Sequence, residues 1–436
     1  MTAPASTASP AWILRWAPAW VLLAVALWPL PGLSAGVLGL GALGLLGHLL
    51  HTRFRGASRY MAVPAWALAT VLFAAYWLPQ LVSLPDALVP LAALRKVLAG
   101  LLALPLLWLA ALAVAGADGR RRVFAGLGLI ALAWTLDALV AVAIGTSPLF
   151  WLLEHGHRLL AGQPWCRPQD VIAPGRLSGV FGPCNPKLGI VLACLAPFAL
   201  CWAYQRLGAV GSVLVAVAIG GVILLAGARA AWVSYALVLL WLAARQWGRR
   251  GVLATVVAMM LGLATLVVLS PSLQERVQRS ALVLQPQTAD AALSGRLRIW
   301  SAALCMWTQH PVNGVGVRGF RAAFAACDPQ PGVSPAWGTG TALHAHQLVL
   351  EVASETGTLG LLLWLAGVAL AWRAWRHADA DARAQTFPAL LALVAAVFPL
   401  NTHLAVHSTF WGGVVLLLAG LYAGSLWGRV EASDQS

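Results

Sequence analysis

Apolar runs of about twenty residues recur along almost the whole chain, most of them closed by short polar turns. At 1.5 Å per residue, such a run as a helix spans the ~30 Å hydrocarbon layer of a bilayer. The runs are continuous and do not alternate residue by residue, so barrel strands are excluded and helices expected. The pattern predicts about twelve transmembrane helices, at about 12–30, 33–51, 61–84, 97–116, 123–144, 185–204, 208–227, 230–244, 251–270, 347–372, 385–404 and 409–427. Pro29 and Pro31 part the first two, which leaves a broken hairpin open. Residues 145–184 and 271–345 are longer and more polar than the other turns. The chain therefore divides into helices 1–9 (1–270, with the loop 145–184), a loop subdomain (271–345), and helices 10–12 with a tail (346–436). Within the subdomain, Leu297, Trp300, Leu304 and Trp307 recur at helical spacing and predict a helix over Leu293–Gln309. Ser294 is its expected cap and His310-Pro311 its end; 328–341, rich in Pro and Gly, is expected to be a mobile loop.

Composition excludes a soluble protein. Of 436 residues, 60% are hydrophobic and 10% charged, with mean hydropathy +0.80; soluble domains run at about 45–50% and about 25%. No cleavable signal peptide is evident, and the first twelve residues, rich in Ala, Ser, Thr and Pro, are expected to be disordered. The formal net charge is +14, and of 28 basic residues only Lys96 and Lys187 are lysine. Arginine suits bidentate recognition of phosphate or carboxylate. The cations are scattered between spans and form no soluble basic domain, which argues against nucleic acid as a partner. Basic turns follow every even-numbered span, which places them and both termini in the cytoplasm and residues 145–184 and 271–345 outside. Thirteen cations nevertheless face outward, against eight acids there. Long outer segments escape the orientation rule, which accounts for part of this excess; the rest suggests an anionic ligand on the outer face.

The candidate chemistry gathers at 343–360. His344 and His346 precede the tenth span, and Glu351 and Glu355 follow one helical turn apart. Histidine is the natural proton acceptor near neutrality. Two residues apart, His344 and His346 do not share a helix face, so one of them at most is expected to point into a given site. His403 and His407 compete by position, and His155 and His157 less so. Outer acids are unclustered, and the one Asp-x-Asp, Asp379-Ala-Asp381, falls in a cytoplasmic turn; no metal cluster is expected. Cys166, Cys184, Cys305 and Cys327 lie in outer segments that permit disulfides. Cys166–Cys184 and Cys305–Cys327 are the local pairs among three possible connectivities. An anion transporter is the competing class, but no internal repeat is visible and Asp137 is the one mid-span acid.

Three patches give the chain a resemblance: Ala226-Gly-Ala-Arg-Ala-Ala-Trp232; Ser294-Gly-Arg-Leu-Arg-Ile-Trp300 with His310-Pro-Val-Asn-Gly-Val-Gly316; and Ala345-His-Gln347 with Glu355-Thr-Gly-Thr-Leu-Gly360. Gly182-Pro-Cys-Asn-Pro186, after Arg176, adds a fourth. In order and spacing they resemble the O-antigen ligase (WaaL-type) family and its relatives, the O-antigen polymerases and protein O-oligosaccharyltransferases. Gln347 stands where that family usually has Asn. The resemblance covers about 175–365. It implies an all-α polytopic membrane protein of the helical (GT-C-like) glycosyltransferase kind that uses lipid-linked donors. It further implies a bacterial inner-membrane enzyme that moves a glycan from undecaprenyl pyrophosphate to a sugar hydroxyl of lipid A-core. Reaction is expected at the periplasmic face, with inversion and without metal, nucleotide or other cofactor. The resemblance makes His346 the general base and Arg229, Arg296, Arg298 and Arg176 the pyrophosphate ligands. His344, Glu355 and Gln347 are supporting residues. An O-antigen polymerase is the nearest alternative.

Overall fold

The computed structural model describes residues 12–428 except 53, 55–56, 58–59, 173–174, 272–273, 276, 279–281, 286–288, 339 and 400–403. Most of the N-terminal stretch, His403, Arg276, Arg279 and the C-terminal tail lie outside these residues, and with them the expected placement of both termini. All regular structure among the described residues is helical. The helices in order are α1 (Trp12–Ala26), α2 (Pro31–His51), α3 (Val63–Val82), α4 (Pro90–Gly100), α5 (Ala103–Ala115), α6 (Ala117–Ile144), α7 (Pro148–Ala161), α8 (Leu188–Leu225), α9 (Arg229–Leu269), α10 (Arg296–Gln309), α11 (Phe320–Cys327), α12 (Leu348–His377), α13 (Ala380–Val397) and α14 (Thr409–Trp427). Among the described residues, eight stretches are long and apolar enough to cross a membrane, with α4 and α5 forming one of them.

Two of the eight are longer than a bilayer needs, and each is broken by one glycine. Gly208 in α8 (φ 72°, ψ −167°) and Gly248 in α9 (φ 62°, ψ −152°) take a conformation open essentially to glycine. Both breaks fold the chain back. Ser212 Oγ donates to Leu200 O at 3.2 Å, although twelve residues of straight helix span about 18 Å. A Cβ on Gly251 would lie 3.0 Å from Ala243 O. Each limb is then roughly the twenty residues of one crossing. Neither α1 nor α13 is among those eight stretches, and the expected twelve is reached only by counting the limbs separately and adding both.

A third corner, at Gly357 in α12 (φ 67°, ψ −171°), divides the tenth predicted span. Leu348–Thr356 is a separate, largely buried limb, and the crossing proper begins after the corner. All three corners read Gly-x-x-Gly: Gly208–Gly211, Gly248–Gly251 and Gly357–Gly360. The reason is steric. The reversal brings the fourth residue onto the side chain preceding the corner, so a Cβ on Gly211, Gly251 or Gly360 would overlap Leu207, Trp247 or Thr356.

The centre of the bundle is α14, which packs against α5, α13 and α3. Its Gly420, Gly424 and Gly428 lie four apart against α5 and its C-terminal end. A Cβ at Gly420 would meet Leu107 O at 2.6 Å, and one at Gly428 would meet Ala115 Cα at 2.5 Å. Small residues at this spacing let membrane helices approach backbone to backbone. The second limb of α9 has scarcely a buried side chain; Leu253, Val257, Met260 and Leu261 face outward, as lipid contact requires.

The turns sort to two ends. At one, Arg120 donates to Gln385 and Arg245 lies over Phe387 at 4.2 Å. At the other, residues 83–88, 145–187, 226–229, 289–347 and 404–408 come together. The subdomain has its own small core of Ile299, Met306, Phe320 and Phe324, with Ala345 fully buried in it. Disulfides Cys166–Cys184 and Cys305–Cys327 join the local pairs. The helix expected from Leu293 starts at Arg296; its cap is Gly295, and Ser294 makes no capping bond. The 328–341 stretch makes contacts with the subdomain core through one side chain. Trp337 stacks edge-on against Phe324 at 5.6 Å and packs at Gly295.

Candidate active site

The segment 310–316 organises the site by filling the Gly357 corner. The first N–H groups after a corner have no helical partner of their own. Here Thr358 N donates to Pro311 O at 2.8 Å and Leu359 N to Val312 O at 3.2 Å. Returning the contact, Val315 N donates to Ser354 O at 2.9 Å. The approach leaves no room for side chains. A Cβ on Gly314 would lie 2.5 Å from the Glu355 carbonyl carbon, and one on Gly357 2.6 Å from Asn313 N. The two glycine-rich patches of the sequence are thus halves of one joint. The other side of the segment is bound to the α3–α4 turn. Asn313 Nδ2 donates to Asp86 at 2.9 Å, Val317 N to Ser83 Oγ at 3.1 Å, and Leu88 N to Val315 O at 3.0 Å.

This joint holds Glu351 and Glu355 on one face of the first limb of α12, both turned to His407. His407 Nδ1 lies 3.0 Å from Glu355 Oε2, and its backbone N–H donates to Glu351 Oε1 at 3.1 Å. All three residues are at most 4% exposed. With Glu355 ionised, Nδ1 carries the proton and Nε2 is left to accept. Their ligand atoms lie within 4.8 Å of one another, so by donor type and spacing the trio could hold a divalent cation. In the structure His407 instead bridges the two carboxylates. Sequence spacing missed this cluster because His407 is far along the chain and belongs to the start of α14.

Above the trio opens a cavity of about 220 Å³, lined by Lys187, Arg318, Arg321, Leu343, His344, Glu351, Glu355, Leu404, Ala405, His407, Ser408 and Phe410. Of His344 and His346, His344 lines this cavity and His346 does not. Their rings lie 3.8 Å apart between centroids. The segment is not helical. Ala345 points into the subdomain core, and neighbours two apart in such a chain share the opposite side. His346 also has φ 52°. It is one of four non-glycine residues with left-handed backbone among those described, the others being Phe54, Ser294 and Arg318. Three of the four are thus at or beside the sequence-predicted site, where backbone strain tends to concentrate.

The arginines separate into groups. Arg229, at the start of α9, donates to Ala292 O at 2.8 Å and to Ser294 Oγ at 3.4 Å, which sets it against the start of α10. Arg296 is two residues further on. Arg176 adjoins Leu177, whose N–H donates to Leu225 O at the end of α8, close to Arg229 in the chain. Burial, and then the charges of Arg229 and Arg176, push Arg296 down to about 10. Arg298 departs from the expectation that grouped it with these. Its Nε and Nη2 donate to Asp328 at 2.6 Å each, and the guanidinium also reaches Gln330 O and Val333 O. This buried fork closes the 328–333 loop and holds the Asp328 carboxyl below its usual range. Successive positions on a helix diverge by about 100°, so Arg296 and Arg298 face different ways.

Other expected residues have structural work. Gln347 caps α12 through Leu350 N and donates to Pro399 O at 2.9 Å. Asp379 caps α13. Asp137 accepts from Ser147 Oγ at 2.7 Å and Leu149 N at 2.9 Å, fixing the start of α7. His155 and His157 stack on Trp151 and Trp165 on or beside α7. Lys187, Arg318 and Arg321 were visible in the sequence as outward cations, but nothing there brought them together.

A helical membrane protein with a buried histidine and two buried carboxylates beside two cation groups frames the comparison with known proteins. Residues 214–365 match the model of the family described as O-antigen ligase. Over this segment, about a third of the chain, the protein is similar to the O-antigen ligase family, whose members are enzymes of glycosyltransferase and ligase type. The match runs from the second limb of α8 through the subdomain to the Gly357 corner. No curated protein matches the chain.

Proposed function

We propose that the protein is an O-antigen ligase of the bacterial inner membrane. It transfers a glycan from undecaprenyl pyrophosphate to a sugar hydroxyl of lipid A-core at the periplasmic face. The observation that carries this reading is the approach of Arg229, inside the matched segment, to the start of α10, with the charges of Arg229 and Arg176 both felt at Arg296. Arg229 and Arg296 are half-buried and Arg176 exposed. Arginine pairs bidentately with phosphate, so three such groups near one another suit the two phosphates of a pyrophosphate leaving group. Fixed cations there stabilise the charge that develops as the glycosidic bond breaks.

His346 is the base in this mechanism. It removes the proton of the acceptor hydroxyl as that oxygen attacks the anomeric carbon, and the pyrophosphate leaves from the opposite side with inversion. His344, whose tilted ring packs against His346 at 3.8 Å between centroids, orients the ring. Charge on the leaving group is met by arginine, so no metal is required. Arg298 is left out of the phosphate set because its donors are engaged by Asp328 and the loop carbonyls.

Transfer by purified protein from a lipid-pyrophosphate donor to lipid A-core is the test, run with a chelator present. His346→Ala is expected to lose about 10²–10⁴-fold in rate while donor binding persists. Near wild-type turnover by that variant refutes the base assignment, and dependence on added divalent metal refutes the charge argument. In a deletion strain, core lacking O-antigen supports the ligase, whereas core carrying a single repeat unit indicates a polymerase.

A further inference from the structure

The cavity over Glu351, Glu355 and His407 has walls of opposite charge, and the mechanism above does not use them. Lys187 stands at the start of α8, its Nζ 4.2 Å from the Phe410 ring centroid. Arg318 and Arg321 come from the segment that follows the 310–316 joint. Both are exposed, and neither makes a side-chain hydrogen bond or ion pair with any described residue. Arg318 keeps a left-handed backbone, φ 70°, that an arginine rarely adopts. The opposite wall is acidic. Glu351 is 1% exposed, and its Oε2 has no hydrogen-bond partner although it borders the cavity. A buried carboxylate oxygen without a partner is a vacant acceptor.

These walls select a ligand. A bare pyrophosphate would gain from the cations and be repelled by Glu351 and Glu355. A neutral sugar would satisfy the acids and leave the cations unused. A saccharide with one anionic substituent satisfies both, with its hydroxyls donating to the acids. The volume, room for about seven waters at ~30 Å³ each, is of the order of one sugar residue.

We propose that this cavity is a second anion site, separate from Arg176, Arg229 and Arg296, that recognises an anionic sugar of the acceptor. Lys187, Arg318 and Arg321 take its phosphate ester or carboxylate, and Glu351 Oε2 accepts from a sugar hydroxyl. The role as acceptor site rests on the transferase reading given above. The cavity's chemistry does not, and the two are separable by experiment.

The kinetic arm measures transfer by full-length protein to three acceptors: native core, core stripped of phosphate, and core with its carboxylates reduced. Arg321→Gln and Arg318→Gly are the variants; the second also relieves the left-handed backbone. Losing a charged hydrogen-bond partner is expected to raise KM for native core about 10- to 100-fold, with donor KM and kcat nearly unchanged. The variants should not affect whichever stripped core has lost the recognised group, which identifies phosphate or carboxylate as that group. A rise in donor KM with acceptor KM unchanged overturns the proposal, as does an equal effect on all three acceptors or none. The binding arm titrates glucose 6-phosphate, glucuronate, glucose and inorganic phosphate into the purified protein. At least one of the two anionic sugars should bind more tightly than both glucose and phosphate, and Arg321→Gln should abolish that preference. Should wild-type protein transfer no glycan, this arm decides alone: preference for an anionic sugar keeps the site while the transferase reading fails. Equal or absent binding of all four overturns the site.

Discussion

Substituting Gly357 with Ala tests whether the glycine-rich joint, more than any one side chain, builds the site. Two costs are separable because the chain carries its own control. Gly208 has nearly the same dihedrals as Gly357, and a Cβ there would meet nothing within 4 Å. Gly208→Ala therefore measures the conformational cost alone, about 1–3 kcal/mol for a backbone region open essentially to glycine. Gly357→Ala carries that cost and more. Its Cβ would overlap Val312 and lie 2.6 Å from Asn313 N, so the 311–313 backbone must withdraw. Withdrawal breaks the bonds from Thr358 N and Leu359 N, worth about 0.5–1.5 kcal/mol each. The total is about 2–6 kcal/mol, at least 1 kcal/mol beyond the control. Apparent unfolding midpoints of both variants in one detergent, followed by tryptophan fluorescence, give the comparison. Limited proteolysis of residues 289–347 should show the subdomain loosened in Gly357→Ala only. If the two alanine variants melt together and resist protease equally, the joint is not a fixed contact and the argument fails.

Other expectations are briefer. Arg298→Ala should destabilise the subdomain by about 1–3 kcal/mol, since it leaves the half-buried Asp328 carboxylate without its partner, whereas Arg296→Ala should leave its protease resistance unchanged and weaken donor binding. The Asp328 carboxyl is held below its usual range by Arg298. Its stabilising contribution is thus complete above the unfolded value of about 3.9 and lost as pH falls through the lower folded value. Protease resistance of the subdomain should decline in that acid window in wild type, and an Arg298→Met variant should lack the dependence. Reducing Cys305–Cys327, which closes a loop of roughly twenty residues, should remove about 3 kcal/mol and speed cleavage near 328–341, measured by mass spectrometry with and without reductant.

The membrane class and the helix count were legible because they rest on long apolar runs, the strongest signal a sequence carries. The limbs of α8 and α9 were separable only because Gly208 and Gly248 coincide with short polar turns. The Gly357 corner was not, since no polar turn separates Leu348–Thr356 from the crossing that follows. Its signature was the repeated Gly-x-x-Gly, whose meaning needs a backbone approach that sequence does not display. The candidate site was half legible. His344, His346, Glu351 and Glu355 lie in one stretch and were found together. His407 entered only as one of several histidines, because its partnership with Glu355 comes from the packing of α14 against the rest of the bundle. Arg298 misled for the opposite reason: it neighbours Arg296 in the chain, yet Asp328, thirty residues on, claims it.

The joint also imposes an order of assembly. The first amide groups after the Gly357 corner are satisfied by Pro311 and Val312, which are made earlier and lie on the far side of the subdomain helices. In a ribosome-to-membrane sequence of events, Pro311 and Val312 must already be in place when the helix after the corner arrives. Until then that helix has no seat, and His407, which enters with α14, has no carboxylates to meet. Completion of the site is in this sense the last event in the biogenesis of the bundle. A chain stalled before α14 would have its full complement of arginines and its paired histidines and still lack a finished floor.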